Sequence, residues 1–385
     1  MWFIVEQEIS LFNGVPPTLS FSEMRSPMPD SEDLFLAPTA QRWKDHLLEK
    51  RVRPGARPLG EDFEIEYPHS LAAFHWLFFH GNVFQLRDQT SPLQVRLLLC
   101  TIQTLVFQYS QRQRFVPEEV DLPSTIYAPC ILTEYTQRGL EELHYLLTKW
   151  YLLYRHVMPA SASVPVGIDL TCSLMAHLIG MELYICFNDV QLLAGKEGFE
   201  QGRILMPLFQ RWTKTSAAVM AIFHSGQVIR IISSLDQKAS RPLWWPLAIV
   251  RAALVLWAYG MVVSAECVNC KGREPAQGGI DAQYTHQTPA WQAQELESVN
   301  GAIGDRALFG GAEMSFFNQS TTPCISNLEG RLIPLSETSE VLQVSIKLLE
   351  EGLSMSTPVC EYVRKFLQDI QNVGAVYRDI EGGGT

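Results

Sequence analysis

The most apolar stretch of the chain is residues 240–264, SRPLWWPLAIVRAALVLWAYGMVVS, in which Arg251 is the single charge after Arg241 at the start. Proline near its start fits the first turn of a helix, where the missing N–H has no partner to lose. Apolar residues then recur at three- and four-residue spacing, the period of one helix face. The pattern predicts a helix over about 243–263, with Gly260 at a position where it could end. The signature residues of this stretch are Trp244, Trp245, Pro246, Arg251 and Trp257.

Two interpretations of this stretch compete, a membrane span and a buried central helix. A span needs roughly 20 consecutive apolar residues, whereas Pro246 to Tyr259 includes only 14, with Arg251 among them. A charge near the bilayer centre costs about 2.5–3.5 kcal/mol even on insertion scales. Length and charge therefore favour the buried helix, and a membrane-associated protein stays as an alternative.

Helical periodicity continues through most of the chain, and no run of alternating β-branched residues with hairpin turns occurs. We predict an all-α fold, a multi-helix antiparallel bundle around the central helix. The N-terminal helix has Trp2, Val5, Ile9 and Phe12 on one face. Further helices are predicted at about 38–51, 70–80, 92–109, 134–156, 168–187, 202–212, 213–235, 336–353 and 358–373. The helix at 38–51 is expected to place Trp43, His46 and Leu47 inward.

Composition changes sharply at Asn269, since residues 271–330 hold eight glycines and six glutamines but few leucines. Such a segment is typical of a flexible insertion. We therefore predict a helical main domain at 1–268, a flexible Gly/Gln-rich insertion at 269–335, two C-terminal helices at 336–373 that dock on the main domain, and a tail at 374–385.

Charge and cysteine usage narrow the function classes. The net charge of −11 argues against a chain that grips nucleic-acid phosphates by itself. The eight cysteines are scattered, mostly inside apolar runs, so a reducing intracellular compartment is favoured over a disulfide framework.

The sequence lacks the common motifs for metal binding, nucleotide binding and catalysis. Cys267 and Cys270 have the spacing of half a zinc site, but His286 stands alone and Cys324 is the next cysteine, so four compatible ligands are not found. Phosphate-loop, dinucleotide, zinc-protease and nucleophile-elbow motifs are absent. The sequence predicts no catalytic residue, no cofactor-binding or metal-binding residue and no DNA-binding residue in this chain, which is therefore not expected to be an enzyme.

Two stretches carry a family resemblance. The region from Phe12 to Asp45, with LFNGVPPTLSFSEMRSPMPDSEDLFLAPTAQRW, resembles the stretch of fungal transcription factors that precedes a helix with a buried tryptophan. His224, Gln227 and Arg230, followed by the Trp-Trp-Pro helix, resemble the late part of the fungal-specific regulatory region, often called the middle homology region. The resemblance, which depends on the order and spacing of these motifs, covers most of residues 1–265 and 336–373.

The resemblance implies the regulatory region of a fungal zinc-finger transcription factor, acting in RNA polymerase II transcription in the nucleus. Zinc and DNA belong to fingers that this chain lacks, so we expect a fragment without its DNA-binding part. The partners implied for the chain itself are the transcriptional machinery or a small effector, and no membrane. A helical enzyme or small-molecule-binding protein without a recognisable motif is the alternative.

Overall fold

A computed structural model describes residues 2–20, 27, 32–51, 70–83, 86, 90–114, 130–158, 166–235, 241–270, 323–326, 331–351 and 358–382. The chain divides into two compact units, Met1–Cys172 and Ser173–Thr385. The domain boundaries predicted from composition stay a prediction. The prediction of an all-α fold is confirmed, because nearly all the described backbone is helical.

Helices form the first unit. Their bounds are α1 Trp2–Asn13, α2 Glu32–Phe35, α3 Ala40–Arg51, α4 Leu71–His80, α5 Pro92–Arg114, α6 Cys130–Val157 and the start of α7, Val166–Tyr184, which continues into the second unit. Ser70 caps α4, since its hydroxyl accepts a hydrogen bond from the Ala73 N–H at 3.2 Å. The α5 and α6 helices pack together, and the Trp150 indole N–H donates to the Val95 carbonyl at 2.8 Å.

The second unit holds the remaining helices and one small hairpin. Their bounds are α8 Phe187–Leu193, α9 Phe199–Trp212, α10 Ser216–Ser233, α11 Trp245–Cys270, β1 Cys324–Ser326, β2 Leu332–Pro334, α12 Thr338–Glu351 and α13 Pro358–Gly382. In the hairpin, which is antiparallel, Ile325 faces Ile333.

The predicted central helix is α11, and it is buried on nearly every side. Trp257 is fully buried, and so are Leu254 and the small Ala248, Ala252 and Ala253, which let neighbouring helices approach closely. Helices α8, α9, α10, α12 and α13 all pack against it. Among the described residues, α10 and α11 are long and apolar enough to cross a membrane, and α7 with α8 could form a bent third span. However, 78% of the apolar window of α11 is buried inside the protein, as expected for a core helix.

Helix α11 does not end at Gly260, where the sequence suggests that it could, but continues to Cys270. A Cβ atom at Gly260 would lie 1.8 Å from the Leu335 carbonyl oxygen, so the backbone before α12 rests directly on the helix at this point. One turn later the Ser264 hydroxyl donates to the Ser336 carbonyl at 2.9 Å. The glycine therefore marks a close approach of two backbones rather than a helix end.

One expectation about side chains in the first unit needs correction. Trp43 does not point inward, because 47% of its surface is exposed, while His46 and Leu47 are only half-buried. In α1 the buried residues include Phe3, Ile4 and Leu11. The face that carries Trp2, Val5 and Ile9 is the exposed one. Neither helix shows from its own sequence which side its neighbours will cover.

The insertion predicted at 269–335 is described only at its ends. Residues 271–322 and 327–330 lie outside the described residues. Near the end of the insertion, β1 and β2 pair as a short hairpin. This hairpin is too short for the alternating pattern that marks a strand in sequence.

Candidate functional site

The candidate site is a set of polar side chains set between the apolar helices α7, α10 and α11 of the second unit. It contains the polar signature residues predicted from sequence on α10 and α11. Their partners on α7 and α8 are not revealed by the sequence. The members of the site are Arg251, Glu182, His177, His224, Gln227 and Arg230. We refer to it as the α7–α10–α11 polar cluster.

The start of α11 orients the helix. The Trp244 carbonyl accepts hydrogen bonds from the N–H groups of Leu247 at 3.0 Å and Ala248 at 3.2 Å, which begins the helical ladder. Trp244 and Pro246 are buried. Trp245, predicted to be buried, is only half-buried, and the Arg241 guanidinium carbon lies 4.8 Å from the centre of its ring. Trp245 thus lies beside a cation at the edge of the core, where an indole often stands.

Arg251 is the charge inside the central helix, and it is buried with 3% of its surface exposed. Its Nη1 atom lies 3.9 Å from Oε2 of Glu182, an ion-pair distance longer than a hydrogen bond. Its guanidinium carbon lies 4.3 Å from the centre of the Phe187 ring, which adds a cation–π contact. Burial lowers the pKa of Arg251, and the Glu182 carboxylate opposes that shift. Arg251 therefore has a carboxylate partner inside the protein.

His224 of α10 and His177 of α7 form a second contact in the cluster. Their Nδ1 atoms are 3.0 Å apart, so one Nδ1–H donates to the lone pair of the other. His224 is buried, and His177 is half-buried. Burial and then the charge of Arg230 lower the pKa of His177 to about 4. His177 is therefore neutral at pH 7.

The position of the His224 ring depends on a glycine of α7. A Cβ atom at Gly180 would lie 2.6 Å from the Cε1 and Nε2 atoms of His224, closer than a side chain allows. The ring of Tyr184, one turn further along α7, is nearly parallel to the His224 ring, with the two centres 6.0 Å apart. The imidazole is therefore held between the backbone of Gly180, the ring of Tyr184 and the ring of His177.

Gln227 and Arg230 complete the cluster on α10. The Arg230 Nε–H donates to the Gln227 side-chain oxygen at 2.7 Å. Gln227 is buried, whereas Arg230 is exposed. Arg230 therefore lies against Gln227 of its own helix, and the two arginines of the cluster have different charged or polar neighbours. Arg230 influences His177, and Arg251 pairs with Glu182.

Chemically, the cluster holds polar groups in fixed pairs. Each pair connects two helices or two turns of one helix, and an ion pair inside a core constrains how helices align because a shift would separate the charges. The arrangement is that of a structural device between packed helices.

The described residues do not fit a zinc site. In the part of the chain that the structure describes, no three His, Cys, Asp or Glu side chains come together as metal ligands. The side chains of Cys267 and Cys270 lie outside the described residues, and Cys324 is exposed on the hairpin. No step involving zinc is therefore assigned to this chain.

The sequence does not identify two members of the cluster as partners, Glu182 and His177. It also does not identify the two residues that contact the cluster, Phe187 and Gly180. Glu182 is an isolated acid in an apolar run, and such a residue inside a predicted buried helix is a signal that a buried cation lies opposite. The contact of His177 with His224 has no local signal, because 47 residues separate them.

Known proteins similar to the chain are fungal transcription factors. A transcription factor of Zymoseptoria tritici is 25% identical over 92% of this chain and 35% of its own length. Transcription factor 1 of Elsinoe fawcettii is 27% identical over 91% of this chain and 33% of its own length. Transcription factor PfmaH of Pestalotiopsis fici is 25% identical over 92% of this chain and 33% of its own length. The chain spans about a third of the length of these curated relatives.

No protein-family model matches the chain, and no solved structure matches it. The similarity to proteins named as transcription factors extends across both units, so it concerns the whole fold and not one motif. It supports a relationship to fungal transcription factors at the level of that general class.

Proposed function

We propose that this chain is the regulatory region of a fungal transcription factor that acts in RNA polymerase II transcription in the nucleus. The observation that carries the proposal is the similarity over more than nine tenths of this chain to about a third of each relative. In this proposal DNA is read by zinc fingers elsewhere in such a protein, and this chain transmits or modulates their effect.

Two features of the chain support a regulatory role in place of DNA reading or catalysis. The net charge is −11, which opposes contact with phosphates. The polar groups of the α7–α10–α11 cluster are paired across helices inside a core, which suits a scaffold that holds a surface in shape. The partners in this proposal are the transcriptional machinery or a small effector, and the chain is not an enzyme.

A tethering assay tests the proposal. Residues 1–385 are fused to an unrelated sequence-specific DNA-binding domain and expressed in a fungal host with a reporter of intermediate basal expression, so that activation and repression both register. We expect a several-fold change in reporter transcript relative to the DNA-binding domain alone. The same fusion directed to a reporter without the binding site is the control. An unchanged transcript, with the fusion in the nucleus at normal abundance, contradicts a regulatory role.

A further inference from the structure

Helix α1 carries apolar side chains on its outer side as well as on its buried side. The side that faces α5 buries Phe3, Ile4 and Leu11 together with two polar residues, while the side that faces solvent carries Trp2, Val5 and Ile9. Trp2 exposes 84% of its surface and Ile9 exposes 51%. Surface helices normally turn such residues inward, so an exposed row of them indicates a binding surface.

The inner side of α1 is fixed by specific polar contacts. Gln7 is fully buried, the Gln103 side-chain N–H donates to the Gln7 carbonyl at 2.6 Å, and the Thr104 hydroxyl donates to the Gln7 side-chain oxygen at 3.2 Å. Glu8 pairs with Arg96 of α5. Turning α1 to bury Trp2 would break all of these contacts and leave buried polar groups unsatisfied. The apolar outer side is therefore built into the fold.

The exposed surface has a defined shape and border. Trp2, Val5 and Ile9 recur at three- and four-residue spacing, which forms one straight row along the helix. After Gly14 the chain turns back, and the Leu19 N–H donates to Oε1 of Glu6 at 3.0 Å, which places a further exposed apolar residue beside the row. We call Trp2, Val5, Ile9 and Leu19 the α1 outer face.

The border of the α1 outer face is negatively charged. Glu6 lies beside the row on the helix, and its carboxylate accepts from the backbone N–H groups of Thr18 and Leu19 and from the Thr18 hydroxyl. The whole chain is also acidic, with a net charge of −11. An apolar row with an acidic border is complementary to a surface that is apolar with a basic border.

We propose that the α1 outer face docks an amphipathic helix of a partner protein, with apolar anchors spaced three to four residues apart and Lys or Arg along its edge. This mode of recognition uses anchors at i, i+3 or i+4, and i+7, which match a row of this length. The inference goes beyond the proposed function, because it concerns a surface of the first unit and stands whether or not the chain regulates transcription.

Two other occupants fit less well. A second copy of the chain would bring Glu6 towards its own equivalent, and four residues are far fewer than the roughly 20–30 on each side of a stable interface. An anionic lipid surface attracts basic segments and repels an acidic border such as Glu6. A short basic helix can bind through a small contact surface, and its positive charge is attracted to Glu6.

The test uses two designed helical peptides as probes. Both carry leucines at the same heptad anchor positions, and one has lysine and the other glutamate along the flanks. Fluorescence anisotropy of each labelled peptide is measured against the full chain at low salt. We expect the lysine-flanked peptide to bind at least about tenfold more tightly, a difference of about 1.4 kcal/mol. That preference should shrink as salt screens the charges.

Variants locate the binding surface. The double variant Trp2→Ala with Ile9→Ala removes exposed side chains only, so circular dichroism should show an intact fold, and binding of the lysine-flanked peptide should weaken at least about tenfold. Trp76→Ala is the matched control, because Trp76 is a tryptophan of the same unit with 62% of its surface exposed, and it should leave binding unchanged.

Several results would overturn the proposal. Equal binding of both peptides, or equal loss with Trp76→Ala, would remove the basic helix as the specific occupant. Dimerisation in analytical ultracentrifugation that the double variant abolishes would instead assign the α1 outer face to a second copy. Co-sedimentation with phosphatidylserine vesicles that the double variant abolishes would assign it to lipid.

Discussion

At the residue scale, the most informative position is Arg251, a charge in the middle of the most apolar helix. Its burial is tolerated because Glu182 supplies an opposite charge and Phe187 supplies the face of a ring. A lone buried charge would be unfavourable by several kcal/mol after the surroundings relax. Arg251 and Glu182 are therefore coupled, and a change to one leaves the other in an unfavourable environment.

Substitution of Arg251 should show this coupling. Arg251→Met leaves Glu182 without its buried partner, and we expect the free energy of unfolding to fall by about 3–5 kcal/mol. The double variant Arg251→Met with Glu182→Leu removes both charges and should recover most of that loss, because well-packed apolar replacements of a buried pair are often neutral. Urea denaturation of the wild type and of the two variants measures both effects. A neutral Arg251→Met variant would show that the pair contributes nothing.

The histidine pair should make stability depend on pH. The folded protein holds the pKa of His177 at about 4, below the ordinary value of 6.5, first through burial and then through the charge of Arg230. Between these values the unfolded chain binds a proton that the folded chain does not. The free energy of unfolding should therefore fall as pH falls from about 6.5 towards 4.

His177→Gln isolates this contribution from that of the other titrating groups. Chemical denaturation at several pH values between 7.5 and 4.5 should give a shallower loss of stability for the variant than for the wild type. Parallel curves for the two proteins would mean that His177 titrates alike in the folded and unfolded chains.

At the scale of elements, the sequence predicts existence and type better than orientation. The central helix is predicted because its apolar residues recur with the helical period, and the fold class follows from the same pattern elsewhere. The orientation of Trp43 is predicted wrongly, and that of Trp2 is not predicted. In both cases the side of the helix that is covered depends on neighbours distant in sequence. The partners Glu182 and His177 are missed for the same reason, since spacing along one helix contains no information about another.

Two glycines in helices of the second unit should respond oppositely to alanine. At Gly260 the new Cβ would lie 1.8 Å from the Leu335 carbonyl oxygen, so Gly260→Ala must displace the backbone before α12 and lower the melting temperature. At Gly226 in α10 nothing lies within 4 Å of the new Cβ, so Gly226→Ala should stabilise by about 0.5–1 kcal/mol through helix propensity alone. Thermal unfolding of both variants checks the pair. A Gly260→Ala variant as stable as Gly226→Ala would mean that no close approach exists at Gly260.

At the scale of the whole molecule, the net charge determines whether the isolated chain can bind DNA. We expect residues 1–385 not to bind duplex DNA at about 150 mM salt, because a net charge of −11 provides no general means of neutralising phosphates. An electrophoretic mobility shift with and without a chelator measures this. A shift that persists with the chelator would contradict the proposal that DNA reading belongs to zinc fingers elsewhere.

The contact of Gly260 with Leu335 has a consequence for how the protein is made. Helix α11 leaves the ribosome long before α12, which packs against it, has been synthesised. Translation of residues 271–351 takes roughly 4–16 s at about 5–20 residues per second. Through that interval the apolar α11 lacks part of its final cover, so we expect the nascent chain to need protection from aggregation during this period.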